Sequence, residues 1–299
     1  MPLRTKDLAL AGLIVLVWGV NFAVTKVGLA GLPPMLLGAL RFVLAAFPAV
    51  LLVRRPRVPL RWYLAYGLTI SVGQFALLFT ALYVGMPTGL ASLVLQAQAF
   101  FTLLLGAWWL HERWHRPQLM GLVLAALGLG FIGSAHGAAM PLLGFVFTLG
   151  AALSWSCGNI VSRKISQLGP INQFAFVVWA SLVPPLPFFA LSLWLEGPQT
   201  VYTALTGLNL ASLGAVAYLA WAATLLGYGL WTYLLARYPA NKVSPFTLLV
   251  PVVGLTTGWL VFDENLQAVH LIGGALLMLG LGVNLFGGPL LQRWRARGA

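Results

Sequence analysis

One segment of the sequence has the residue types of a zinc hydrolase. His111-Glu112-Arg113-Trp114-His115 fits H-E-x-x-H, a pattern in which two histidines one helical turn apart hold the metal and the glutamate acts as general base. Pro117 follows at once, which places the motif at a helix end, and no third ligand stands near it. The segment 152 residues further on, Asp263-Glu264-Asn265-Leu266-Gln267, keeps the acid and neither histidine. An intramembrane metal-dependent hydrolase is therefore the remote reading, and no metal, cofactor or enzyme activity is expected. The other residues able to do chemistry are neutral. Asn21, Thr25, Gln74, Gln96, Gln98, Asn159, Tyr228, Ser244 and Thr247 all lie inside apolar runs. Their amides and hydroxyls can hydrogen-bond both the carboxylate and the ammonium of a zwitterion without imposing net charge. Trp18, Phe75, Phe79, Trp155 and Trp231 add ring faces for an ammonium group or an apolar side chain. The binding residues expected from this set are Asn21, Gln74, Gln96, Asn159, Tyr228, Trp155, Trp231, Phe79 and Ser244.

The elements that must position these residues follow from composition. Of 299 residues, 60% are hydrophobic and 7% charged, against about 25% charged in a soluble globular domain. A disordered chain, a nucleic-acid-binding domain and a disulfide scaffold are excluded, the last because Cys157 is alone. Ten apolar runs stand out, near 7–29, 35–53, 63–84, 89–110, 117–134, 142–162, 172–195, 210–236, 243–262 and 267–287. They lack the alternation of barrel strands, so they read as spanning helices. The first run is longer than a signal-peptide core and is expected to stay as a permanent helix. Short connections make neighbouring helices antiparallel.

Charge orients the bundle. Arg4, Lys6, Arg54, Arg55, Arg57, Arg61, Arg113, Arg116, Arg163, Lys164, Arg237, Lys242, Arg293, Arg295 and Arg297 collect on one side of ten alternating crossings. An excess of Lys and Arg marks the cytoplasmic face, so both termini are expected there. Lys26 and Lys164 sit near helix ends and are expected to snorkel. Arg41 lies deeper, without a charged counterpart near Val177, and its role is open between pairing with carbonyls and attracting a carboxylate. The five acids, Asp7, Glu112, Glu196, Asp263 and Glu264, fall at helix ends or in loops. No carboxylate sits at mid-membrane, which disfavours tight proton coupling through a buried acid.

The chain also repeats itself. Asn21-Phe-Ala-Val-Thr-Lys26 matches Asn159-Ile-Val-Ser-Arg-Lys164 at an offset of 138. From the third run onward the offset is 152: Tyr66 pairs with Tyr218, Pro87 with Pro239, Ser92 with Ser244, Gly106 with Gly258, Glu112 with Glu264, Gly121 with Gly273, Gly128 with Gly280 and Gly130 with Gly282. The difference of 14 residues falls near Pro184 to Leu208. Five spans per half is odd, so the second half enters the membrane from the opposite side, an inverted repeat of the kind that builds many secondary transporters. Asn21 and Asn159 should then face each other at mid-depth. The paired glycines read as close-packing faces of runs five and ten. The cavity is expected between runs one, three, four, six, eight and nine, with five and ten peripheral. Gln96 and Gln98 point to nearly opposite sides, so at most one faces it. Pro245 and Pro251 in run nine, with Pro48, Pro184, Pro185 and Pro187, remove helix hydrogen bonds and allow bends.

At this point the chain resembles a known family. Val17-Trp18-Gly19-Val20-Asn21-Phe22, Tyr66-Gly67-Leu68-Thr69-Ile70-Ser71, the run from Gly89 to Thr102, and the run from Leu249 to Leu255 look like the EamA family of the drug/metabolite transporter superfamily, and most like its exporters of O-acetylserine and cysteine. His111 before Glu112 departs from the Gly-Glu pair common in that family. The resemblance implies an all-α integral membrane protein with ten transmembrane helices in two five-helix repeats, residues 1–135 and 141–289, followed by a basic tail at 290–299. It also implies a multi-pass protein of the inner plasma membrane that exports small amino acids or their derivatives. A different metabolite or drug class in the same fold is the alternative. A channel is disfavoured by apolar constrictions. No G-x-x-x-x-G-K-[ST] loop is present to hold nucleotide, so no ATPase subunit is implied. The expected partners are a small amino-acid-like molecule and the lipid bilayer, with no nucleic acid, and the expected unit is a monomer.

Overall fold

The computed structural model describes residues 4–110, 115–135, 137, 140–238 and 240–297, without the side chains of Leu110, Ala240, Asn241, Ser244 and residues 288–297. Ten helices among the described residues are long and apolar enough to cross a bilayer: α1 Thr5–Leu29, α2 Pro34–Leu52, α3 Leu60–Tyr83, α4 Thr88–Trp109, α5 Arg116–Ser134, α6 Leu142–Ser166, α7 Gln173–Glu196, α8 Leu210–Arg237, α9 Pro245–Phe262 and α10 Ala268–Gly287. A helix of 25 residues such as α1 is roughly 37 Å long, more than the roughly 30 Å hydrocarbon layer requires. No strand forms among the described residues; Gly137 and Met140 make an isolated bridge. The outward face of the bundle is apolar, with Leu51, Leu186, Trp194 and Leu210 all more than three-quarters exposed. A soluble monomer does not leave such a belt open to water. The protein is a multi-pass membrane protein.

The 14 residues by which the two halves differ have a structural counterpart. A short helix, Pro198–Thr206, stands between α7 and α8. Gly197, at φ 86°, makes the turn into it, a left-handed conformation that glycine adopts without a Cβ clash.

Besides interruptions at Phe47–Pro48 in α2 and between Ala180 and Pro185 in α7, and a π-type turn at Ser192–Glu196 in α7, four irregular turns come in pairs 152 residues apart. Widened π-type turns occupy Gly67–Gly73 in α3 and Tyr218–Leu226 in α8. Tight 3₁₀ turns occupy Leu95–Ala97 in α4 and Ser244–Leu249 at the start of α9. Wide turns shift the side-chain register and leave carbonyls poorly paired, and they are frequent at functional sites. The Thr224 hydroxyl takes up one such carbonyl, donating to Leu219 five residues back at 2.8 Å.

Packing sorts the bundle into a tight centre and two outlying helices. A Cβ on Gly19 of α1 would run into Val253 of α9, so only glycine lets these backbones come so close. In the outlying pair, Gly121 and Gly128 of α5 face the backbone of Gly280 and Gly273 of α10. This is the small-residue contact expected for runs five and ten. Gly130 and Gly282 take no part in it and face open space.

The end of the bundle away from the termini is held by two acids of the second half, each sitting on a helix start of the first. Glu264 accepts hydrogen bonds from the Thr88 and Gly89 amides at 2.8 and 3.0 Å, and from the Thr88 hydroxyl at 3.1 Å. The Lys26 ammonium completes its shell at 3.0 Å and rests over the Phe262 ring. Lys26, expected to snorkel, thus has a carboxylate partner at this end of the bundle, with its side chain about one-third exposed. Glu196 accepts from the Met35 and Leu36 amides at 2.6 and 3.2 Å and from the Ser192 hydroxyl at 2.6 Å. A carboxylate at a helix N-terminus satisfies donors that have no partner within the helix. At the terminal end the corresponding tie is lighter: the Tyr238 hydroxyl donates to Asp7 at 2.7 Å.

Candidate functional site

Four helices, α2, α3, α7 and α8, surround a small space near mid-bundle. Its walls are Arg41 and Phe42 from α2, Tyr66, Ile70, Ser71 and Phe75 from α3, Val177 and Ser181 from α7, and Thr224 and Tyr228 from α8. Ile70, Ser71 and Thr224 stand in the widened turns of α3 and α8. The free volume is about 10 Å³, room for the centre of roughly one water molecule. Any larger occupant requires these helices to part.

Arg41 dominates the site. It is 3% exposed. Its Nη2 donates to the Thr224 hydroxyl at 3.1 Å, while Nε and Nη1 are buried without an acceptor. The guanidinium lies 4.0 Å from the centre of the Phe75 ring and 5.5 Å from that of Phe42. Ring faces stabilise a cation but accept no hydrogen bond in the plane of the fork. None of the described acids lines the space: Asp7, Glu196 and Glu264 are engaged at the two ends, and Asp263 is exposed in the loop after α9.

The expected binding residues divide into three groups. Tyr228 lines the site. Its ring centre is 5.5 Å from that of Trp18, which is in turn 5.5 Å from Trp231, so an aromatic chain runs from the cavity toward the terminal end. Trp18 is held by its indole N–H, which donates to the Ala223 carbonyl at 3.0 Å. Phe79 lies one turn below Phe75, fully buried with its ring centre 5.5 Å away, and backs the wall without forming it. Gln74 and Asn21 are buried with Oε1 and Oδ1 unpartnered.

The remaining expected residues belong to helix contacts. Asn159 donates to Gln98 Oε1 at 2.8 Å and to the Thr102 hydroxyl at 3.0 Å, joining α6 to α4. The Asn159 donor thus goes to α4, and not to the Asn21 with which it was expected to pair across the two halves, whose Oδ1 stays without a partner. Gln96 turns the other way and donates to the Thr247 carbonyl of α9 at 3.3 Å. Spacing put the two glutamines on opposite sides of α4, and each side is a helix interface. Trp155 packs between two clusters of the core. The Ser244 side chain lies outside the described residues.

The expected cavity helices need correction as well. Of the helices expected around it, α1, α4, α6 and α9 do not line the space at Arg41, and α9 instead meets α1 and α4 at close glycine contacts. The walls come instead from α2 and α7, repeat-equivalent to each other, with α3 and α8. The signal available in the sequence was Arg41, a charge in mid-run on a helix otherwise apolar. A larger crevice of about 130 Å³ opens between α4, α9 and α10, but its walls are apolar apart from His270, and it offers little to a zwitterion. Of the H-E-x-x-H segment, His111 to Trp114 lie outside the described residues. His115 begins α5, its backbone N–H donating to Gln118 Oε1 at 2.9 Å.

The family model for EamA-like transporters matches residues 6–134 and again 142–286. The chain belongs to the EamA family. It is 49% identical over 293 residues to a protein of Escherichia coli K12 named "Probable amino-acid metabolite efflux pump", covering 97% of each chain. The protein of the same name from Salmonella typhimurium is 49% identical over 296 residues, covering 98% of this chain and 99% of its own. A more distant relative, 26% identical over 275 residues and 90% of each chain, is the "Probable terminal-alkyne amino-acid exporter" of Streptantibioticus cattleyicolor. A crystal structure superposes with a TM-score of 0.60 at 20% identity, over 94% of this chain and 96% of its own. That likeness extends the EamA fold to an experimentally observed chain and speaks to fold alone.

Proposed function

We propose that this EamA protein is a secondary transporter that exports small amino acids or their derivatives across the inner plasma membrane by alternating access, with the cavity around Arg41 on the path of the cargo. The observation that carries the reading is a small space between helices of both halves, walled in part by hydroxyls and by the buried Arg41, whose Nε and Nη1 lack partners. The names of the 49% identical relatives support the cargo class.

Alternating access follows from an inverted repeat. The shared offset of 152 covers matched side chains and also both kinds of irregular turn. With five spans per half, the second half is the first turned over, and the cavity lies between the equivalent pairs α2/α7 and α3/α8. The basic end, with both termini, faces the cytoplasm. Cargo entering there leaves by separating the opposite end, which breaks the contacts of Glu264 and Glu196. Each is a contact between halves, so rocking of the halves opens both. The walls come from one chain, and a monomer suffices.

The test is flux of labelled amino acids in proteoliposomes, over a panel of cysteine, O-acetylserine, threonine and an aromatic, with and without a pH gradient. Saturable flux without the gradient is expected. Flux only with the gradient would overturn the reading of an uncoupled carrier, and no flux for the whole panel would move the cargo to another metabolite class.

A further inference from the structure

We propose that the group this site recognises is a carboxylate, bound by the Arg41 guanidinium, and that the amine of the cargo is not required. The inference rests on the transport reading for its physiological meaning and on the geometry of Arg41 for its chemistry.

A guanidinium has five N–H donors in a planar fork. Here one of them, on Nη2, has an acceptor. Nε and Nη1 have none. Each two-pronged edge of the fork combines Nη2, which retains a second N–H, with one of these free nitrogens. The two N–H of Nη2 lie in different edges and one is taken by Thr224, so the other edge keeps both prongs and can hold a planar carboxylate, the arrangement for which the group is shaped. The face of the fork is closed by Phe75, so an incoming anion is directed to the edge.

The site makes no matching provision for a cation. Its other polar wall groups are the hydroxyls of Ser71, Ser181, Tyr66, Tyr228 and Thr224. The Ser181 and Thr224 hydroxyls already donate to the Val177 and Leu219 carbonyls, and as neutral groups all five serve an amide or an ester as well as an ammonium. An amine lacking the carboxylate would meet the uncompensated charge of Arg41 inside a low-dielectric space and be repelled. The favoured class is thus a small monocarboxylate, amino acids and N-acylated or amine-free acids alike.

The experiment uses the purified full chain and two readouts. The first is binding, read as thermal stabilisation in detergent by L-cysteine, N-acetyl-L-cysteine, L-cysteine methyl ester and cysteamine. The second is competition by the same compounds against labelled cysteine flux in proteoliposomes. N-acetylcysteine is expected to bind and compete within about threefold of cysteine. The methyl ester and cysteamine should be at least about tenfold weaker, the range for losing a charge-assisted hydrogen bond. In Arg41→Gln the preference should vanish, and Arg41→Lys should restore part of it. Equal or tighter binding of cysteamine, or failure of N-acetylcysteine to bind wild type, overturns the assignment without recourse to any variant. Binding with the expected preference but no flux would instead strike the transport reading and leave the carboxylate site standing.

Discussion

Two charges in this protein, the partly buried Glu264 and the buried Arg41, are treated in opposite ways. Glu264 receives two backbone amides, a hydroxyl and the Lys26 ammonium within 3.1 Å. Arg41, more deeply buried, receives one hydroxyl and two ring faces. A buried charge with every lone pair occupied is part of the structure, because each contact exists in the folded chain alone. A buried charge with open donors is held in place by packing at a cost, and natural structures carry that cost where a ligand later removes it. The contrast separates a clasp between the halves from the proposed receptor between them.

Mutation can break or sharpen this contrast. Glu264→Ala should cost most, about 3 kcal/mol of stability, since it leaves Lys26 and two helix-start amides without an acceptor; thermal unfolding in detergent measures it. Arg41→Met should move stability the other way, by about 1–3 kcal/mol, because an apolar side chain of similar length removes an uncompensated charge. Flux should collapse in the same variant. A destabilised Arg41→Met would mean that Arg41 is structural and the comparison false. Asn159→Ala removes an interhelical hydrogen bond and should cost about 1 kcal/mol with little change in KM, whereas Asn21→Ala, with its acceptor already free, should change flux more than stability. The smallest effect is expected for Thr224→Val, which frees the last donor of Arg41 from its tether. A rise in KM of about threefold, with kcat unchanged, would place Thr224 as a positioning residue.

The ten helices were legible because hydrocarbon leaves a spanning chain few options: an unpaired backbone group there is so costly that a long apolar run must become a helix. The family was legible from residue identities in particular runs. The site was legible only in part. Tyr228 lines the space around Arg41, whereas Asn159 and Gln96 bond between helices, and an amide on a helix face carries no mark of whether it meets a cavity or a neighbouring helix. Arg41 was visible as an anomaly, but a lone charge in a run does not announce its partners. The widened turns of α3 and α8 were invisible, since no residue type requires them.

What the sequence determined by itself is whatever depends on local composition: helix number and length, the basic side, the doubled pattern and the glycines that let α5 and α10 touch. Tertiary structure decided which polar groups are partnered and which are left open. That outcome depends on distances between helices far apart in the chain, such as Arg41 to Thr224 or Lys26 to Glu264, at 3.1 and 3.0 Å. A shift of one turn in either helix would exchange a satisfied charge for an open one, and no periodicity within a single helix records that register.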